Sequence, residues 1–232
     1  FGHLTGMEMF HDFLPEDGDR MWTLADWAWV GGLMNCLMCS WHHGVTNVAY
    51  RARKYDPEEA LRLVADYDIR NPFMPPTALN IMRQVENVQR FNANFRTVAV
   101  AGEPMGAELF HWAEEHLGVQ CNEFYGQTEC NLVVSNCQKI MPVKPGSMGK
   151  PAPGHVVEVI DNEGNILDPG AEGELAVRRE NEPVLLLEYW QNPEATENQR
   201  RDQWWRMGDA GTKDEDGYLW FVGRADDVIT SA

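Results

Sequence analysis

The residues best equipped for chemistry form one dense word, Asn122-Glu123-Phe124-Tyr125-Gly126-Gln127-Thr128-Glu129. Two carboxylates, two amides, a phenol and a hydroxyl fall within eight positions. The word overlaps the end of Val119 to Phe124, a short run that reads as a strand. In open parallel sheets ligands bind beyond the carboxyl ends of strands, so a site belongs here. A second turn, Gly102-Glu103-Pro104, closes another strand candidate at the same sheet edge. Downstream lie Trp205-Arg206-Met207-Gly208-Asp209, Asp216-Gly217-Tyr218 and Gly223-Arg224-Ala225-Asp226-Asp227. Singly, each has a plain reading: a turn, a helix cap, a core aromatic, or a solvated charge run. Cys36-x-x-Cys39 with His42-His43 offers four possible metal ligands within eight residues and no second pair elsewhere. That is poor spacing for a zinc module, so an ordinary helix or loop is the better reading.

The elements that must position these residues are legible in part. Pro57-Glu58-Glu59 opens a helix, because Pro suits the first turn and carboxylates suit its positive end. Pro75-Pro76 opens another, with Ala78, Ile81, Met82 and Val85 at helical spacing. Thr97 to Ala101 reads as a buried strand, followed by a helix carrying Leu109, Trp112, Ala113 and Leu117. Strands alternating with such helices predict an α/β architecture with a parallel sheet over residues 1–141. After residue 142 prolines and glycines punctuate short strand candidates at Val156–Ile160, Glu174–Val177 and Leu219–Val222. This predicts a small β-rich subdomain over 142–223.

Acidic residues number 36 against 19 basic, a net charge of −17. Nucleic acid or an anionic lipid surface needs a basic footprint, so neither is expected as a main partner. With 44% hydrophobic and 24% charged residues the chain can bury a real core. No apolar run approaches the ~18–20 residues of a membrane span. No basic-then-apolar leader opens the chain, and five cysteines are an odd number, so reduced thiols in a cytoplasmic protein are expected. The chain enters mid-pattern at Phe1 and stops abruptly at Ala232, which reads as a piece of a longer protein. Nothing in the pattern speaks to oligomeric state.

Taken together, the words "GEP", "NEFYGQTE", "KPGSMGKPAPG", "GELAVRR", "YWQNPEAT", "WWRMGD" and "DEDGYLWFVGRADDVI" run in order through residues 102–229. In this the chain resembles the adenylate-forming acyl-CoA synthetases, and "ADWAWVGGL" and "PPTALNIMRQV" resemble their medium-chain branch. The resemblance implies activation of a small carboxylic acid with ATP to an acyl-adenylate, then transfer to coenzyme A. It implies that Tyr125 stacks on adenine, that Gly102, Glu103, Pro104 and the Asn122, Glu123 and Phe124 backbone line the base, and that Gly126 and Gln127 complete the pocket. Thr128 would bond the α-phosphate, Glu129 would hold Mg²⁺, Asp209 would accept both ribose hydroxyls, and Arg224 would donate near ribose and phosphate. Asp226 would be the hinge, within 224–232, to a further C-terminal domain. The family's Gly-rich phosphate loop and its catalytic lysine have no counterpart in these residues, so the chain alone is expected to be inactive. Two other readings stay open: an adenylation domain that loads a carrier protein, and a non-catalytic nucleotide-binding module.

The resemblance also implies an acyl pocket built from Trp29, Val30, Gly31, Ala101 and Gly126. Acetate-specific relatives carry Trp at the place of Gly126 and Val at the place of Ala101. Both residues are small here, which implies a deeper channel, although Gly126 could equally serve only the backbone of its turn. At ~0.8 kcal/mol per buried methylene, butyrate should gain about 15-fold over acetate. Short- to medium-chain fatty acids are the expectation, with aryl acids possible beside Trp27 and Trp29.

Overall fold

The computed structural model describes residues 2–182 and 184–225. Its larger sheet has seven strands in the order β2-β1-β3-β4-β5-β6-β7. These are β1 (Arg20–Thr23), β2 (Thr46–Asn47), β3 (Asn71–Met74), β4 (Val98–Val100), β5 (Cys121–Gln127), β6 (Asn131–Ser135) and β7 (Lys150–Pro151). The first five pair in parallel, and β6 and β7 add antiparallel at one end. β3 and β4 are buried along their whole length, as strands covered on both faces must be. The smaller sheet is antiparallel: β8 (Val157–Ile160), β9 (Glu172–Arg178), β11 (Trp204–Lys213) and β12 (Leu219–Arg224), with β10 (Arg200–Arg201) at its edge. The mixed α/β class and the change to β structure in the later part are thus as the sequence predicts.

Helices α1 (Leu4–Phe10), α2 (Val30–Gly32) and α3 (Cys39–His42) precede α4 (Pro57–Asp66), α5 (Pro76–Met82), α6 (Ala107–Leu117) and α7 (Pro193–Gln199). A π-helix, Leu33–Met38, joins α2 to α3 without a break. α4 starts where its sequence says: Asp56 accepts from the Glu58 and Glu59 amides at 2.9 and 3.0 Å, with Pro57 in the first turn. β4 shows how the layers divide. Val98 and Val100 face Leu61, Leu79, Met82 and Leu109, while Ala99 and Ala101 face Phe10, Met21, Phe73 and Phe124. A third core joins the sheets, with Val133 and Val134 of β6 packed against Val157, Leu175, Met207 and Leu219.

One strand differs from expectation in a way that matters. β5 does not stop at Phe124 but runs on to Gln127, because its last residues pair with antiparallel β6. Tyr125, Gly126 and Gln127 therefore sit on a strand end, not in a free turn.

Candidate functional site

The end of β5 sorts its side chains by strand alternation. Asn122 and Phe124 face α1: the Asn122 amide donates to the Phe10 carbonyl at 3.0 Å and to Asp12 at 3.1 Å. Phe124 stacks on Phe10 with ring centroids 4.2 Å apart. Tyr125 and Gln127 instead reach across to β11. The register of the β5–β6 pair shifts between Tyr125 and Gly126. A Cβ at Gly126 would come within 1.8 Å of the Asn131 carbonyl oxygen, so only glycine allows β6 to approach this closely.

Asp209 is the hub of the constellation and is buried at 4% exposure. Its Oδ2 accepts from the Tyr125 hydroxyl and from the Gln127 amide, the latter at 2.7 Å. Its Oδ1 accepts from Arg224 at 3.0 Å, and Gln127 donates a further 2.7 Å bond to the Met207 carbonyl. The local backbone explains why Asp209 turns inward. Between Arg206 and Ala210, β11 slips its register against β9, so Met207, Gly208 and Asp209 bulge out of that ladder. Glu174 of β9 braces the bulge: it pairs with Arg206 and accepts the Gly208 amide at 2.9 Å. Gly208 has φ +68°, a left-handed conformation that suits glycine.

Tyr125, Gln127 and Asp209 line one end of a cavity of about 390 Å³. Gly102, Glu103, Pro104, Glu123, Thr128 and Phe221 complete that polar end. Trp29, Val30, Gly31, Phe73, Ala101, Phe124 and Leu132 form an apolar end. The Trp29 ring folds back over Gly31 and stacks on Phe73 at 6.3 Å. Burial pushes the Glu123 carboxyl up to about 8, opposed by a weak bond from the Met105 amide. Burial, reinforced by the Asp209 carboxylate, likewise raises the Tyr125 phenol well above its ordinary range, so it stands as a neutral donor.

An open parallel sheet with a buried acceptor hub facing an apolar pocket is a common setting for nucleotide-dependent chemistry, and comparison with known proteins makes it specific. The family described as AMP-binding enzyme matches residues 3–190. The chain belongs to this AMP-binding enzyme family. It is 37% identical over 215 residues to an uncharacterised acyl-CoA ligase, YtcI, of Bacillus subtilis, covering 92% of this chain and 40% of that protein. To the human mitochondrial acyl-coenzyme A synthetase ACSM4 it is 35% identical over 220 residues, covering 94% of this chain and 38% of the relative. The crystal structure of ATP-bound MatB from Rhodopseudomonas palustris superposes with a TM-score of 0.85 at 25% identity, covering 98% of this chain and 44% of that one. The chain thus spans about two fifths of the length of these relatives.

Within this AMP-binding fold, the expected site residues divide into three groups. Trp29, Val30, Gly31, Ala101, Gly102, Glu103, Pro104, Glu123, Phe124, Tyr125, Gly126, Gln127, Thr128 and Asp209 all line the one cavity. Asn122, Glu129 and Arg224 are not among its lining residues, although Arg224 is tied to it through Asp209. Asp226 lies outside the described residues. Glu103 reaches the cavity, yet its carboxylate accepts the Thr77 amide of α5 at 2.8 Å. Glu129 accepts from the Tyr189 hydroxyl at 2.9 Å. A single carboxylate next to the exposed Thr128 hydroxyl fits Mg²⁺ only where phosphate and water supply the remaining oxygens, which is this ion's usual habit. Among the described residues no group of three or more His, Cys, Asp or Glu could hold a metal, and Cys36 and Cys39 are buried in the helical stretch. Sequence reasoning did not reach His3, Asn35, Phe73, Asn131, Leu132, Met148 or Phe221. Phe73 was within reach, since it stands near the carboxyl end of a parallel strand; Met148 and Phe221 lie within quoted motifs that assign them no role, and the rest come from stretches without a local motif.

Proposed function

We propose that the protein containing this chain is an AMP-forming acid–CoA ligase. The observation that carries this reading is the position of Asp209: a buried acceptor hub at one end of a cavity whose other end is apolar. Asp209 accepts the ribose hydroxyls, the Tyr125 ring lies against adenine, and the Gly102-Glu103-Pro104 turn with the Glu123–Phe124 backbone borders the base. Thr128 donates to the α-phosphate and Arg224 adds positive charge beside Asp209. Mg²⁺, when bound at Glu129, neutralises phosphate charge. A carboxylate oxygen of the acid attacks the α-phosphorus while the bond to the pyrophosphate oxygen breaks. The thiol of coenzyme A then attacks the acyl carbonyl, and AMP leaves with the electrons of the mixed-anhydride bond.

The acid sits between Trp29, Val30, Gly31 and Ala101, and short- to medium-chain acids are the proposed class. Ala101 carries that argument, because the backbone of Asn131 by itself requires glycine at 126. The same proposal divides the chain into an α/β part over 1–141, a β-rich part over 142–223 and a hinge from 224, with β7 completing the larger sheet from beyond residue 141. A cytoplasmic setting also belongs to it, supported by five buried cysteines that are free thiols.

Calorimetric titration of the full-length protein with AMP tests the nucleotide assignment. Asp209→Ala removes charge-assisted bonds worth roughly 1.5–3 kcal/mol each, so AMP should bind at least tenfold more weakly. Unchanged affinity in a folded variant would contradict the ribose role.

A further inference from the structure

One motif of the sequence, Tyr189 to Thr196, supplies no lining residue to the cavity, yet the structure ties it to the site. Between β9 and α7 the chain forms neither helix nor strand at 184–189, and two of its hydrogen bonds end on one residue, Glu129. The Leu186 amide donates to the Glu129 carbonyl at 2.7 Å, and the Tyr189 hydroxyl donates to Glu129 Oε1 at 2.9 Å. This strap thus holds both the backbone and the side chain of Glu129. The strap is itself anchored. The Tyr189 amide donates to Thr196 Oγ1 at 2.9 Å, and that hydroxyl donates to the Asn192 carbonyl at 3.1 Å. Thr196 is buried at 3% exposure, and Asn192 caps α7 by accepting the Ala195 amide at 3.1 Å. The Tyr189 ring lies 6.0 Å from that of Trp205, which is buried in β11. Arg200 adds a bond to the Leu187 carbonyl at 3.1 Å.

Burial of its large apolar neighbours is not what fixes Tyr189 in place, since Leu187 and Trp190 are 85% and 84% exposed. The hydrogen bonds converge instead on a carboxylate assigned to Mg²⁺. A glutamate side chain is rich in rotamers, and ordering it costs conformational entropy. Metal-binding carboxylates are commonly oriented by a hydrogen bond from a group that does not touch the ion. Glu129 belongs to no cluster of three or more possible ligands among the described residues, so its orientation matters the more. We propose that Tyr189 is a positioning residue: its hydroxyl fixes Oε1 of Glu129 and leaves Oε2 for Mg²⁺, and the Tyr189–Thr196 motif serves to hold that hydroxyl in place. This rests on reading Glu129 as the Mg²⁺ carboxylate of the proposed ligase.

The test is calorimetric titration of the full-length protein with ATP, in the absence of acid, at a series of Mg²⁺ concentrations and in EDTA. Loss of a bond that orients a metal-bound carboxylate commonly weakens metal binding by about 10–100-fold. Tyr189→Phe keeps the ring against Trp205 and removes only the hydroxyl. The Mg²⁺ concentration giving half of the metal's effect on ATP affinity should therefore rise about tenfold, with affinity in EDTA as in the wild type. In a Glu129→Gln background the same substitution should change nothing further. An unshifted Mg²⁺ midpoint in Tyr189→Phe overturns the proposal and leaves the ligase reading intact. So does an equal loss of ATP affinity with and without the metal, which is what a purely structural strap would give. An equal effect of Tyr189→Phe in the two backgrounds overturns it as well. A wild type that binds no ATP under any of these conditions overturns the ligase reading and the strap with it. Should Tyr189→Phe fail to fold, Thr196→Val, which cuts the anchor of Tyr189 instead, should raise the same midpoint, and an unshifted midpoint there overturns the proposal.

Discussion

Glu123 shows how much of the site's behaviour resides in single side chains. Burial lifts its carboxyl to about 8, so at neutral pH it borders the cavity mostly in protonated form. The folded state then binds a proton that the unfolded chain releases near 4.5. Stability from this group is complete below that lower value, falls as pH rises through about 8, and is level beyond it, a change of a few kcal/mol at most. Glu123→Gln keeps the shape without the titration. Urea unfolding at pH 5, 6, 7 and 8 should show the variant gaining on the wild type as pH rises, whereas parallel profiles would place the carboxyl elsewhere. Ala101 carries a second residue-scale prediction, about substrate size. Ala101→Val takes the room of about two methylenes, worth about 1.6 kcal/mol, so any advantage of octanoate over acetate in kcat/KM should fall roughly 15-fold. An unchanged chain-length profile would put the acyl wall at another residue. Most cavity residues were legible at this scale, because the motif from Asn122 to Glu129 is local. Their partnerships were not: Tyr125 meets Asp209 across 84 positions. Nor does local sequence show that the Asn122 side chain turns into the core while its neighbours line the cavity.

At the scale of elements, the β5–β6 hairpin is the piece on which the site depends. Its bulge at Gly126 aims Tyr125 and Gln127 at Asp209, and a methyl group at 126 would collide with backbone that cannot rotate away. Gly126→Ala should therefore cost about 2–4 kcal/mol, read as a lower urea midpoint, and Gly126→Trp would disrupt the hairpin before it could narrow any channel. Stability equal to wild type in Gly126→Ala would mean that β6 can yield. The parallel α/β elements were legible because their signals are strong and local: a proline-led, acid-capped α4, and the buried runs of β4 and β5. β6 was hidden because Asn131 to Ser135 follows the chemistry-bearing motif so closely that it reads as its tail. β11 was hidden because its bulged Trp205–Asp209 stretch has no clean alternation, a consequence of the register slip that builds the site. The helical stretch from Val30 to His42 has no side-chain cap and no acidic first turn, so nothing in its sequence announces it.

For the whole molecule, two sheets of different kind meet at one cavity. The larger sheet brings Phe73, Phe124 and the Tyr125 strand end, and the smaller brings Asp209 and Arg224 on adjacent strands. Their shared core, from Val133 and Val134 to Leu175 and Leu219, holds the halves of the site in register. This joint explains how motifs spread over residues 102–225 come together, and why no single stretch of sequence reveals the geometry. The chain spans about two fifths of its relatives' length. The most direct measurement is acid-dependent exchange of labelled pyrophosphate into ATP by full-length enzyme, its Asp209→Ala variant and the isolated 232-residue chain. The account predicts exchange by the wild type only when a carboxylic acid is present, at least a tenfold loss in the variant, and none from the chain alone. Exchange without acid, full exchange by a folded Asp209→Ala variant, or exchange by the isolated chain would contradict it.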